Sequence, residues 1–259
     1  MALQAVDINC DMGEAFGRWS IGDARDTALI ALVSSANIAT GFHAGDPNLM
    51  EETVRLAVQH GVGIGAHPGY RDLQGFGRRR IEGTPRELVN DIAYQVGALR
   101  EFARRHGAGL QHVKPHGALY MEMAANAELS GVFIDYMRKA APSAFVFCMP
   151  GSATYAAARA AGQPVVREFY VDRDYNDSGS IVFVREPVPS DPTALARKAL
   201  RACMEGKVTS VTGNELDVEF ESLCIHSDTP GAETILAQTR EALVKAGIRI
   251  APVSGPVPA

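Results

Sequence analysis

Histidine, carboxylate and lysine side chains recur at matching places along this chain. His43, His67, His116 and His226 stand at the end of, or just after, runs that read as β-strands, and Asp11, Glu14, Lys114, Glu168, Asp172 and Asp228 occupy the same kind of position. Carboxylates and imidazoles brought together shift each other's pKa and serve as acid and base. Such a set can also hold a divalent metal, with Asp11, His43, His67 and His116 placed to do so, although their spacing names no metal. One histidine in such a place is most often a hydrogen-bonded structural residue. Four of the seven in the chain outweigh that explanation for the group, though not for every member. His60 and His106 are set aside, because each precedes a glycine at the end of a helical run, where an imidazole answers the negative helix end.

The stretch Val113-Lys114-Pro115-His116-Gly117-Ala118-Leu119-Tyr120 concentrates this chemistry. A short strand over 110–114 runs into Pro115, which holds Lys114 extended and stops the strand; a helix is expected to take over near Asn126. A lysine and a histidine where a strand stops and a helix follows is how barrel enzymes present reactive groups. A polar turn that only connects would explain this stretch alone. It does not explain the recurrence.

These residues need a scaffold that brings strand ends together. In Ala5-Val6-Asp7-Ile8-Asn9-Cys10-Asp11, Val6, Ile8 and Cys10 share one face and Asp7, Asn9 and Asp11 the other. If helices cover the sheet, the apolar face meets them and the polar file points inward. Met12-Gly13-Glu14 reads as a loop, followed by a helix over 23–34. A strand over 37–40 leads to Asp46-Pro47, an N-cap and first helical position for a helix with Met50, Val54, Ala57 and Val58 on one stripe. In the strand over 62–67, Gly63 and Gly65 share a face with His67, which predicts either empty volume beside the histidine or a close backbone crossing. Gly75-Phe76-Gly77-Arg78-Arg79-Arg80 offers amides and guanidinium groups to an anion. Thr84-Pro85-Arg86-Glu87 is a capping box opening a helix with Leu88, Ile92, Val96, Leu99 and Ala103 on one side.

The second half repeats the alternation. A strand over 145–148, buried on both faces, precedes an alanine-rich helix; a strand over 165–168 leads into an excursion over 169–189. That excursion carries Asp172-Arg173-Asp174-Tyr175, a turn at 176–179 and a further strand over 181–184. Asp191-Pro192 opens another helix. A strand over 223–226 is followed by Ser227-Asp228-Thr229-Pro230, a helix bearing Ile235, Leu236, Thr239 and Leu243, and a short strand over 248–253. About seven strand–helix units in alternation call for a parallel sheet with right-handed crossovers. The polar files decide for a closed barrel, since both faces of a helix-covered open sheet should be apolar. The expected fold is α/β: one TIM-like (βα)7-type parallel barrel forming a single domain over 1–259.

Bulk properties narrow the function. A hydrophobic fraction of 46% and a charged fraction of 21% are ordinary for a globular protein. A net charge of -5 excludes a general binder of nucleic acid or anionic membranes, which needs a basic face. No apolar run approaches the ~20 residues of a membrane span, and a strand beginning at Ala5 leaves no room for a signal peptide. Cys10, Cys148, Cys203 and Cys224 lack paired spacing and read as reduced thiols in a cytoplasmic protein. Neither a dinucleotide fingerprint nor a phosphate loop is present.

The stretches Asp7-Ile8-Asn9-Cys10-Asp11-Met12-Gly13-Glu14, Gly41-Phe42-His43-Ala44-Gly45-Asp46-Pro47, Gly65-Ala66-His67-Pro68 with Gly75-Phe76-Gly77-Arg78-Arg79, and Lys114-Pro115-His116-Gly117-Ala118-Leu119-Tyr120 resemble the LamB/YcsF family. That family includes one of the subunits of prokaryotic 5-oxoprolinase, the one designated A. The resemblance covers nearly the whole chain and implies a barrel related to glycoside hydrolase and sugar deacetylase barrels. It also implies ATP-dependent opening of the lactam 5-oxoproline to glutamate, with partner subunits B and C. ATP would bind in the barrel mouth or on a partner.

On that expectation Asp11, His43, His67 and His116 position water and move protons, and Lys114 stabilises negative charge on oxygen. Substrate or phosphate would be bound by Asn9, Glu14, Asp46, Arg78, Arg79, Tyr120, Asp172, Arg173, His226 and Asp228. Two alternatives stand beside it: a metal-dependent hydrolase of the deacetylase kind acting alone, and a non-catalytic carrier of a small acid. Self-association is left open by the sequence.

Overall fold

The computed structural model describes residues 2–20, 22 and 25–254. Strands β1 (Ala5–Met12), β2 (Ser35–Ala39), β3 (Gly63–His67), β4 (His112–Val113), β5 (Phe145–Cys148), β6 (Val165–Tyr170) and β7 (Ser222–Ile225) pair in parallel, each with the next. Pairing of Asp7 with Ser222 through Cys10 with Ile225 joins β7 to β1 and closes a seven-stranded barrel. A short β8 (Arg249–Ile250) adds to the outer start of β1.

Helices α1 (Asp26–Leu29), α2 (Pro47–His60), α3 (Pro85–Arg105), α4 (Gly117–Ala125), α5 (Ala127–Ala140), α6 (Ala153–Ala161), α7 (Pro192–Glu205) and α8 (Ala232–Lys245) fill the crossovers. Their starts are set by local chemistry. Asp46 accepts from the Asn48 and Leu49 amides, and Thr84 and Glu87 form the reciprocal capping box. Asn126, Ser152 and Asp191 cap α5, α6 and α7.

The main apolar layer lies between strands and helices: Val6, Ile8, Cys10 and Met12 of β1 share it with helix residues such as Val54, Ile92, Val96, Leu236 and Leu243. Each fully buried aliphatic side chain there contributes about 1.5–3 kcal/mol. A separate small cluster joins only Phe145, Phe147 and Val166, with Val253 packed against it. Polar side chains take much of the remaining inward face. Asp7, Asn9, Asp11, Asn37, His112 and Lys114 are all buried. A barrel that keeps its apolar mass outside leaves its interior free for chemistry.

Several local expectations are corrected. Gly63 and Gly65 enclose no void, because a Cβ at either would collide with the Gln111 or His112 side chain; the glycines admit the neighbouring strand's side chains. The helix after Lys114 begins at Gly117, not near Asn126, which caps the following helix instead. The strand over 181–184 reduces to one bridge between Tyr175 and Ile181. Only Arg249–Ile250 of the final expected strand pairs. The first expected helix is α1 followed by a 3-10 turn, Ile30–Leu32, and its expected start at Asp23 lies outside the described residues. Two hairpins went unread, one pairing Ala15–Phe16 with Trp19–Ser20 and one pairing Lys207–Thr209 with Glu215–Asp217.

Candidate functional site

The carboxyl ends of β1, β2, β3 and β4 converge on one buried group. Glu14, His43, His67 and His116 each offer a ligand atom, and these atoms all lie within 4.8 Å of one another. The sequence offers Asp11 for such a set; the fold adds Glu14 to the imidazoles, while Asp11 Oδ1 lies 3.4 Å from His67 Nε2. The Glu14 turn is fixed by Asp26, whose carboxylate accepts from the Gly13 amide at 2.7 Å and from the Thr53 hydroxyl at 3.0 Å. Glu14 Oε1 lies 3.3 Å from His43 Nε2 and 3.4 Å from His116 Nδ1.

Main-chain carbonyls orient the two central imidazoles. His67 Nδ1 donates to Lys114 O at 2.7 Å, and His116 Nε2 donates to Phe76 O at 2.8 Å. A carbonyl only accepts, so each outer nitrogen carries the proton and each inner one presents a lone pair. The inner pair, His67 Nε2 and His116 Nδ1, stand 2.9 Å apart. Two lone pairs face each other at that distance only with positive charge between them, either a proton on one ring or a cation.

The backbone bends to make this arrangement. Phe76, with φ 52°, is the one non-glycine residue at positive φ among those described, and the turn points its carbonyl at His116. His43 stacks on His116 at 3.8 Å. A Cβ at Gly69 would fall 2.5 Å from His43 Nδ1, and one at Gly77 would fall 2.7 Å from both the His43 and His116 side chains, so these two positions require glycine for room.

Lys114 occupies the centre of the mouth. Its Nζ lies 3.3 Å from Asp11 Oδ1, 3.1 Å from Glu168 Oε1, 3.1 Å from Asn9 Oδ1 and 3.0 Å from Cys224 Sγ. Burial alone would strip its proton, but Asp11, Cys224 and Glu168 outweigh burial and hold its pKa well above the usual value. Asp11 is driven the other way: burial raises it, and His67 and Lys114 more than reverse that. Burial, reinforced by Asp11 and Asp228, pushes Glu14 well above the ordinary carboxyl range. Burial and neighbouring imidazoles push His43 and His116 well down, so both rings stay neutral.

Beside the cluster is a cavity with a free volume of about 40 Å³, lined by Asp11, His67, Arg78, Lys114, His116, Tyr120, Tyr170, Arg173 and His226 together with apolar Ile181, Phe183 and Val184. Tyr120 and Tyr170 bond each other and the same Glu168 oxygen, at 3.2 and 3.3 Å from it. Asp172 accepts from His226 Nδ1 at 3.0 Å and from Arg173 Nη1 at 3.0 Å; burial raises its pKa, but these two neighbours more than reverse that and hold it low. Arg78 donates to Arg185 O at 2.6 Å and pairs with Asp228 at 2.7 Å.

Two expected residues do not join. Asp46 spends one carboxylate oxygen on its helix cap and the other on the Gly17 amide. Arg79 is half-exposed and paired with Asp72, and Arg80 with Glu122, so the arginine run supplies one residue to the cavity, not an anion cradle. Tyr170 was missed, although period two from Glu168 puts it on the inward face. Asn37, which bonds Asn9, Asp11 and His112, was missed because only its position at a strand start was read.

Comparison with known proteins agrees over the whole barrel. The LamB/YcsF family matches residues 6–257. A 5-oxoprolinase A subunit of Pseudomonas aeruginosa is 60% identical over 248 residues, covering 96% of this chain and 98% of that protein. The 5-oxoprolinase A subunit of Symbiobacterium thermophilum is 44% identical, covering 96% of this chain and 95% of its own. The solved structure of a lactam utilization protein from Thermus thermophilus superposes with a TM-score of 0.87 at 40% identity, covering 95% of this chain and 99% of that one. A family 4 carbohydrate esterase from Streptomyces lividans shares the fold alone, with a TM-score of 0.51 and 14% identity over 98% of this chain and 95% of its own.

Proposed function

The chain belongs to the LamB/YcsF family, and from that premise we propose that it is the lactam-opening component of an ATP-dependent 5-oxoprolinase, converting 5-oxoproline to glutamate. The observation that carries this reading is the cluster of Glu14 and three imidazoles beside a fully paired lysine, with His67, His116 and Lys114 all lining one cavity.

An unstrained amide resists water at neutral pH because its carbonyl carbon is a poor electrophile. Phosphorylating the amide oxygen with ATP removes that obstacle. His43 and His116, kept neutral, can take a proton from the attacking water. Lys114, kept charged, stabilises the negative charge that develops on oxygen, and Asp11 and Glu168 hold it in place. The sequence carries no phosphate loop or dinucleotide fingerprint, which supports ATP acting from a partner, here subunits B and C. Four free, buried cysteines accord with a cytoplasmic setting.

The donor set also fits a divalent cation. Two imidazoles present lone pairs inward and give their outer N–H groups to carbonyls, the support usual for metal-bound histidine, and His43 Nδ1 is buried without a hydrogen-bond partner. Glu14, His43, His67 and His116 would hold it, and an imidazole-rich set suits a first-row transition ion better than magnesium or calcium. Such an ion, when bound, supplies Lewis acidity toward water or a carbonyl oxygen.

The decisive assay is ATP-dependent glutamate formation from 5-oxoproline by the pure chain, alone and with its partner subunits. Turnover only in the mixture is expected. Robust turnover by the pure chain would remove the need for partners, and none in either would remove the lactam reading.

A further inference from the structure

One ion pair at the edge of the cavity is left without hydrogen bonds. Arg173 Nη1 donates to Asp172 O, Asp172 Oδ2 and Thr229 Oγ1, each at 3.0 Å, which fixes the guanidinium. Asp228 is fixed in turn by Arg78 through Oδ2 at 2.7 Å. The other ends of both groups, Arg173 Nη2 and Asp228 Oδ1, are buried and have no hydrogen-bond partner among the described residues. They stand 3.7 Å apart, an ion pair too long for a hydrogen bond. Arg78 and Arg173, which hold Asp228 between them, both line the cavity.

A buried donor and a buried acceptor side by side ask for a group that offers the complement of each. An anion is the wrong complement: a carboxylate or phosphate would satisfy the guanidinium but set a second oxygen against Asp228. A secondary amide held cis is the right one. Its carbonyl oxygen and its N–H lie on the same edge, roughly 2.3 Å apart, so two bonds of ordinary length of about 2.9 Å reach a pair of wall atoms a little more widely spaced. An open-chain amide is trans and turns the two groups to opposite sides. A lactam is cis by ring closure.

We propose that Arg173 Nη2 and Asp228 Oδ1 read the cis-amide edge of a lactam, the guanidinium donating to the carbonyl oxygen and the carboxylate accepting from the ring N–H. The carbonyl's second lone pair is left for Lys114, and Ile181, Phe183 and Val184 provide the apolar wall that ring methylenes need. This assignment rests on the lactam-opening reading and adds to it the groups that tell a cyclic amide from other small acids.

The test is ligand binding to the intact chain, measured by titration calorimetry or ligand-observed NMR with three probes: 5-oxoproline, its N-methyl derivative, and the matching γ-lactone acid. The last two both lack the N–H, and the lactone does so without added bulk. Tighter binding of 5-oxoproline than of either analogue, by about tenfold or more, is expected, the scale of one hydrogen bond to a charged group. Asp228→Ala should erase that preference, whereas Arg173→Met should weaken all three probes and leave their ratio standing. Equal binding of the three probes to the unaltered chain overturns the edge assignment and means that a bridging water only joins the two residues. That result leaves glutamate formation by the reconstituted complex untouched, so the two failures are distinguishable. Absence of binding by all three also overturns it.

Discussion

Two polar groups are buried in the same barrel, a few residues apart along β1, and they are built on opposite rules. Low in the barrel, Asp7 receives the hydroxyls of Ser34 and Ser35 at 2.6 and 2.7 Å, and that of Ser222 as well. Above it, Asn9 donates to Glu168 and Ser222, and Asn37 donates to Asn9. Donors and acceptors there are matched, mostly by hydroxyl and amide side chains. At the rim the groups are ionisable, imidazole lone pairs face each other, and His43 Nδ1, Arg173 Nη2 and Asp228 Oδ1 go without hydrogen-bond partners. A matched network holds a fold together; an unmatched one, kept buried, is ready to bind something.

The strongest way to break the comparison is Lys114→Met. If the rim does chemistry, turnover of the reconstituted complex should fall on the order of a hundredfold or more. The melting temperature should also fall, because Asp11 and Glu168 lose their cation, a loss of about 3–5 kcal/mol for a broken buried pair. A folded variant with near-normal turnover would reduce the lysine to a counter-charge.

His116→Asn is expected to weaken binding of a first-row transition ion by about tenfold or more and to lower turnover, with smaller effect on the fold. Titration of zinc into the metal-free chain and the variant, followed calorimetrically, checks it. Equal affinities would leave a shared proton as the positive charge between the rings.

Asp7 tests the lower network. Its pKa is raised to about 6, chiefly by burial, against the pull of the three serine hydroxyls; Glu168 is the charged group that adds to the rise. The folded state therefore holds a proton that the unfolded state has already lost. Asp7's contribution to stability is fully present below about 3.8 and is lost as pH climbs through about 6. Asp7→Asn should flatten that part of the melting-temperature profile and leave turnover nearly unchanged. A profile identical to that of the natural chain would refute it.

The smallest effect is expected at Arg79→Ala. Arg79 lies outside the cavity on Asp72, so turnover should stay within about twofold and the melting temperature should change little. A large loss of turnover would move the edge of the rim outward.

Much of the barrel was legible because periodicity records which face of a strand is covered. Strict alternation in β1 placed Asp7, Asn9 and Asp11 inside and Val6, Ile8 and Cys10 under helices, where they lie. Pro47, Pro85 and Pro192 marked helix starts because proline's fixed φ and missing amide suit that position. The strand over 181–184 was misread because a short apolar run also arises where side chains line a cavity.

By itself, then, the sequence determined the closed parallel barrel, the end of it that carries the chemistry and the histidines gathered there, since each follows from local pattern and from strands that all end on one side. Tertiary structure decided the partners. It added Glu14 to the imidazoles and filled the space beside Gly65 with His112. It withdrew Asp46 and Arg79 to other bonds and left Arg173 and Asp228 each with one unmatched atom. Period and turn signals carry the direction of a side chain to within a face, whereas a hydrogen bond or a metal ligand is settled by a few tenths of an ångström between residues scores of positions apart.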